Sequence, residues 1–297
     1  VSLDSWILFN AHPDRDRRLL NALLNAFGAP DSILGASIRN LSRIPGVSEK
    51  FAQTLLLQKE RFPLQREKEM IDQHGIHLIP VTHPEYPLNL KTMAAPPPLL
   101  YTKGNLVPGD RFSIGVVGSR QNSSYGRRIC EEIVGELAKK GITIVSGMAR
   151  GVDSLAHLFA MKNAGRTFAV LGNGLSACYP PENKDLMEQI ASQGAVISEY
   201  PMATRPEKKN FPERNGIIAG FSLGVLVVEA NQRSGSLITA HAALEENRSV
   251  YAVPGNIFKK TCQGTNDLIR QGAQIVRSAD DIIEDLSLVM QGMMREN

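Results

Sequence analysis

The sequence predicts an α/β protein, a doubly wound and mainly parallel sheet preceded by a small all-helical domain. Three observations carry this. From about residue 109 onward, short Val/Ile-rich runs alternate with segments of helical periodicity. Those runs are continuously apolar rather than alternating, so helices must cover both faces of the sheet. The first 74 residues, by contrast, show only the helical period.

Taken in order, Trp6, Leu8, Leu19, Leu20, Leu23, Leu24 and Phe27 recur at helical spacing and are interrupted by Gly28-Ala29-Pro30. Within this 1–74 domain, Ile44-Pro45-Gly46-Val47 sets a turn between two short helices, with Ser48 as N-cap of the second. The turn resembles a helix-hairpin-helix, in which glycine lets backbone N–H groups approach a phosphate and a lysine, here Lys50, adds charge. Pro-Gly turning the chain between packed helices explains it equally well, and both readings stand. Residues 75–108 are rich in turns, with His83-Pro84-Glu85-Tyr86-Pro87 and Ala95-Pro96-Pro97-Pro98, and read as a linker ending in a short edge strand at Leu99-Leu100-Tyr101.

Residues 109–297 form the predicted α/β domain. Strands are expected at Ser113–Val117, Ile142–Val145, Thr167–Leu171, Ala195–Ile197, Leu223–Val228 and Val250–Val253. The clearest helix runs from Ser124 to Lys140, where Cys130, Ile133, Val134, Leu137 and Ala138 form one stripe and Gly141 supplies the stop.

With 297 residues, 42% hydrophobic and 21% charged, the chain has the core of two domains and not the composition of a disordered one. Its 33 Lys+Arg against 30 Asp+Glu leave only +3, with no polybasic tail. Any nucleic-acid affinity therefore needs cations gathered at one site. Cys130, Cys178 and Cys262 lie far apart, which fits neither a zinc site nor a disulfide framework and suits a reducing cytoplasm. No apolar run approaches a membrane span, and no signal segment opens the chain. No G-x-G-x-x-G follows the first strand and no G-x-x-x-x-G-K-[ST] occurs, so no dinucleotide or P-loop cofactor is expected. No metal is expected either: His157 reads as a packed helix residue, and His74, His77 and His83 flank the linker without metal-like partners.

In doubly wound sheets, ligands bind beyond the carboxyl ends of the strands. The least ordinary residues fall there: Gly118-Ser119-Arg120 after the first strand, Ser146-Gly147-Met148-Ala149-Arg150-Gly151-Val152-Asp153 after the second, Gly172-Asn173-Gly174 after the third, and Gln232-Arg233-Ser234-Gly235 after the fifth. Small residues let backbone N–H groups near an anion, and arginine grips a phosphate with a planar fork. One such turn is ordinary in any α/β fold; several, each with Ser or Arg beside Gly, point to an anion site. Lys208-Lys209-Asn210-Phe211-Pro212-Glu213-Arg214-Asn215 adds cations around an aromatic ring, the combination that single-stranded nucleic acid requires. From composition alone, Phe211 is more readily a core residue beside a solvated charged loop.

These segments, together with Tyr179-Pro180-Pro181-Glu182-Asn183, Ser234-Gly235-Ser236-Leu237-Ile238-Thr239-Ala240, Val253-Pro254-Gly255 and Gly264-Thr265-Asn266-Asp267-Leu268-Ile269, occur in the order seen in the DprA (Smf) family of DNA-processing proteins. The resemblance covers about Tyr86 to Ile283. It implies an extended Rossmann-like domain behind a SAM-like helical one, and no enzymatic activity. The implied protein is a homodimer that binds and protects single-stranded DNA and loads the RecA recombinase onto it during natural transformation, with single-strand-binding protein as a further partner. Carried onto this sequence, the family's pocket residues are Arg120, Ser146, Gly147, Lys208, Phe211 and Arg214; the strand-end reading adds Gly118, Ser119, Ala149, Arg150, Lys209, Asn215, Gln232, Ser234 and Gly235. Gly216 stands where the family usually has arginine, which predicts weaker binding, and the winged-helix domain that many members carry at the C-terminus is expected to be absent.

A competing reading is a Rossmann-like nucleotide-binding enzyme, such as a nucleoside-phosphate hydrolase, with Asp153 and Glu229 near strand ends as acid and base. Against it, Asp153 reads equally as a residue favouring a helix N-terminus, and Glu229 as an acceptor for a turn amide.

Overall fold

The computed structural model describes residues 2–295, with only the backbone of Arg295. Nine strands form one sheet: β1 (His77–Pro80), β2 (Leu99–Gly104), β3 (Ser113–Val117), β4 (Thr143–Ser146), β5 (Thr167–Leu171), β6 (Ala195–Ser198), β7 (Gly224–Val227), β8 (Ser249–Ala252) and β9 (Gln274–Ile275). Their order is β1-β2-β6-β5-β4-β3-β7-β8-β9. From β6 to β9 every pairing is parallel, while β1–β2 and β2–β6 are antiparallel.

All six strands expected in the α/β domain are present, shifted by one or two residues at most. β3, β4 and β5 are buried at every position, as continuous apolar runs covered on both faces require. The order reverses between β3 and β7, which places the topological switch point beside the Gly118-Ser119-Arg120 turn. The helix expected from Ser124 to Lys140 runs from Ser124 to Lys139 with a π turn at Cys130–Val134.

The 75–108 segment departs from expectation. It contributes β1 as well as β2, and β2 is an interior strand because β1 covers its outer side. β1 escapes sequence reading because its burial runs exposed, intermediate, buried, buried over four residues that end in proline. β9 was also unforeseen, being two exposed residues long.

The helical region before β1 packs directly on the sheet layer. Trp6, Phe9, Leu20, Leu23, Ile33 and Leu55 share one core cluster with Leu99, Tyr101, Met187, Ile190 and Val196. Its Pro45-Gly46 turn is exposed, with Gly46 at φ 85°, a left-handed conformation that favours glycine, and a Cβ there would lie 2.9 Å from Leu19 Cδ2. No helix among the described residues is long and apolar enough to cross a membrane.

Candidate functional site

The loop after β4 is organised by one acid. Asp153, in the first turn of the Val152–Lys162 helix, accepts the backbone N–H groups of Gly147 and Ala149 on Oδ2 at 3.2 and 3.3 Å. Two amides expected to face a phosphate are thus committed inside the protein. Ser146 is likewise turned inward: it is fully buried and its Oγ donates to the Val116 carbonyl at 2.6 Å, so its hydroxyl is not offered at the surface. Burial pushes the Asp153 carboxyl up to about 6, opposed by the charge of Arg214, then by the two amides and Arg120.

Arg214 is the inner cation of the site. It lies on the Asn210–Phe221 helix, is 5% exposed, and its Nη1 donates to the carbonyls of Gly147 and Val170 at 2.5 Å each. A Cβ at Gly147 would overlap the guanidinium, so this close approach requires glycine. Nε of Arg214 donates to Asn215 Oδ1 at 3.1 Å, and Asn215 Nδ2 reaches the Gly235 carbonyl at 3.5 Å. That chain brings the loop after β7 up against the site. Burial lowers the Arg214 pKa, with Asp153 opposing.

Phe211 is half-buried rather than a core residue. Its ring packs beside Gly172, where a Cβ would lie only 3.1 Å from Cδ1. It meets the Tyr179 ring at 5.8 Å between centroids, tilted 38°, and the Arg214 guanidinium sits 5.8 Å from its centroid. Tyr179 is 41% exposed, which gives the site a second accessible ring. Its motif was visible in the sequence, but nothing there showed that the chain folds Tyr179 against Phe211.

Exposed cations of unequal freedom lie at the rings or on the segment that leads to Phe211. Arg150 is ion-paired with Glu182, and Lys209 with Glu207 at 3.4 Å. Arg120 and Lys208 are exposed and make no ion pair among the described residues. Arg120, Gly147, Ala149, Arg150, Phe211 and Arg214 line a common recess with Gly172, Asn173 and Tyr179. The recess is shallow, ≈ 30 Å³, against the roughly 300–1,000 Å³ of small-molecule pockets. A larger depression of ≈ 380 Å³, lined by Tyr86, Phe168 and Phe221 among others, lies near the amino end of β5, away from these cations.

The remaining candidates frame the site rather than line the recess. Ser119 Oγ turns back onto its own loop, donating to Gln121 O at 2.9 Å, and Gly118 lets Val152 pack closely. Ser234 Oγ bonds Ser236 Oγ at 2.8 Å, and Gln232 reaches Asp267 at 3.3 Å. Glu229 is buried and accepts from Ser123 N at 2.9 Å and Ser123 Oγ at 2.7 Å. Both acids of the enzymatic reading therefore hold backbone amides, Glu229 that of the N-cap Ser123 and Asp153 that of Gly147 in the loop after β4. His157 is buried with Nδ1 2.6 Å from Thr167 Oγ1, and burial pushes its pKa down to about 3. Among the described residues no cluster of His, Cys, Asp and Glu suits a metal ion.

Beside Gly216 the structure supplies a cation from elsewhere. Arg17, on the Arg17–Phe27 helix, has its Nη2 3.9 Å from where a Gly216 Cβ would be, and the same Nη2 donates to the Glu213 carbonyl at 2.7 Å.

The chain is a doubly wound α/β protein whose strand ends carry a shallow, cation-rimmed recess with two partly exposed rings, a surface chemically suited to phosphates and flat bases. The chain belongs to the DNA recombination-mediator protein A family, whose model matches residues 77–287. It is 42% identical over 215 residues to the DNA processing protein DprA of Bacillus subtilis, covering 72% of each chain. It is 38% identical over 280 residues to protein Smf of Synechocystis, covering 91% of this chain and 69% of that one. Among solved structures it is similar to Streptococcus pneumoniae DNA processing protein A, with TM-score 0.83, 33% identity, and coverage of 96% of this chain and 98% of the other. It also resembles DNA processing protein A of Helicobacter pylori, with TM-score 0.62, 29% identity, and 68% and 92% coverage; that structure describes a single-stranded DNA binding mode.

Proposed function

We propose that this chain binds single-stranded DNA across the carboxyl ends of β3 to β5, without chemistry on the strand. The observation that carries the proposal is the Phe211–Tyr179 ring pair set among Arg120, Arg150 and the buried Arg214, with exposed Lys208 three residues before Phe211 in the chain. Phosphates take the cations and a base takes a ring, an arrangement indifferent to sequence because every base has a π face. The single-stranded DNA binding described for the Helicobacter pylori relative supports the same reading. The family resemblance extends it: the bound strand is protected and passed to RecA during natural transformation by a cytoplasmic homodimer, alongside single-strand-binding protein.

Titration of a fluorescent oligo-dT at several salt concentrations tests the site. Arg120→Ala and Lys208→Ala are each expected to weaken binding and to lower the slope of log K against log salt by about 0.7, the value for one phosphate contact on a single strand. Wild-type affinity in both variants, with unchanged circular dichroism, would sink the assignment. Recombinase transfer is tested by RecA filament growth on oligo-dT coated with single-strand-binding protein, which should begin sooner when this protein is added.

A further inference from the structure

Phe258 is 88% exposed and Ile257 beside it 70%, the two most exposed large apolar residues outside the last helix among the described residues. Two exposed lysines, Lys259 and Lys260, follow directly and make no ion pair among the described residues. The loop is not loose. Asn266 Nδ2 donates to the Gly255 carbonyl at 3.0 Å and its Oδ1 accepts Gly255 N–H at 3.1 Å, Asn256 Oδ1 accepts Phe258 N–H at 2.9 Å, and Tyr125 Oη donates to the Pro254 carbonyl at 2.8 Å. A large ring is therefore held out into solvent by a tethered turn.

Its place in the fold gives that ring a direction. The loop leaves the carboxyl end of β8, and β8, β7, β3, β4 and β5 are parallel neighbours, so Phe258 stands on the same end of the sheet as the Phe211 recess. Phe211 packs at the end of β5, four strand spacings away, or about 19 Å at roughly 4.8 Å per strand. Between them lie exposed Arg120, after β3, and exposed Arg233, after β7.

We propose that Phe258, Lys259 and Lys260 form a second base-stacking and phosphate-binding station, so that one single strand runs from Phe211 past Arg120 and Arg233 to Phe258. This rests on the single-stranded DNA reading of the recess and extends it. The ring and the cations repeat the chemistry at Phe211, and the distance is covered by about six nucleotides at a stacked rise of roughly 3.4 Å, or fewer when extended. Both stations then fall within the span of one bound strand.

The test compares a short oligo-dT of about four nucleotides with one of about fifteen, the range of single-strand site sizes. Phe258→Ala should weaken the longer one roughly tenfold and leave the shorter unchanged, with Phe258→Tyr restoring it, whereas Phe211→Ala should weaken both. In Phe258→Trp, the added indole fluorescence should be quenched by the longer oligonucleotide and not by the shorter. Equal affinity of Phe258→Ala and wild type for the longer strand, or equal losses on both lengths, overturns the second station while the recess stands. A Phe258→Ala defect that follows a change in sedimentation behaviour makes the patch a protein contact instead. Binding of neither length by the wild-type protein overturns both readings together.

Discussion

At the scale of single residues, Asp153 couples the site to pH. Its folded pKa of about 6 lies above the ordinary 3.8, so the folded protein holds a proton there that the unfolded chain has released. The group's contribution to stability is therefore complete below about pH 3.8 and is lost as pH rises through about 6. DNA binding should follow the same direction, because protonation removes the negative charge that opposes phosphate beside Arg214 and Arg120. Oligo-dT affinity is expected to rise as pH falls from about 7.5 to 5.5. Asp153→Asn, whose amide oxygen still accepts the two N–H bonds, should bind more tightly at pH 7.5 and show a flatter profile. His157 does not compete in this window, being held neutral down to about 3. The sequence exposed part of this design. The Gly147–Arg214 contact brings together residues 67 positions apart, and the inward use of Ser146 and of two loop amides depends on where Asp153 points. Residue type allows all of these and specifies none. Phe211 was underestimated for the same reason, because composition does not reveal the groove that keeps it half-open.

At the scale of elements, the segment after β6 leads to Lys208 and is gripped by the helical region. Asn10 Nδ2 donates to the Glu199 carbonyl at 2.8 Å, Arg17 pairs with the Glu199 carboxylate at 3.3 Å, Arg15 lies 4.1 Å over the Tyr200 ring, and Glu67 Oε1 accepts Met202 N–H at 2.8 Å. Glu67 is 2% exposed, and burial raises its pKa. Glu67→Leu strands the Met202 amide and should cost about 1–3 kcal/mol in urea unfolding, whereas Glu67→Gln keeps the acceptor and should cost clearly less. None of these contacts was legible in the sequence, since each joins residues more than 130 positions apart. The six central strands were legible because a parallel strand buried on both faces is apolar at every position. β1 and β9 were not, because one is half-polar and the other is too short to show a pattern.

For the whole molecule, the helical region and the sheet share one packed core, which predicts a single cooperative unit in unfolding. Trp6, the single tryptophan, is 2% exposed within that core and reports the helical side, while circular dichroism reports the full chain. The two signals are expected to change at the same urea concentration; an earlier fluorescence transition would show that the helical region unfolds by itself. The small net charge also becomes intelligible at this scale. Arg120, Arg150 and Arg214 come together at one recess, while surface pairs such as Lys140–Asp280 and Arg277–Asp281 offset cations elsewhere.

The antiparallel pair at one side of the sheet has a consequence for how the protein behaves in a crowd. With β1 outermost and ending at Pro80, which has no N–H to donate, and β9 only two residues long at the other side, neither margin of a nine-stranded sheet offers a stretch of backbone long enough to template a neighbour. Copies crowded together at high concentration are therefore not expected to fuse sheet to sheet into fibrils.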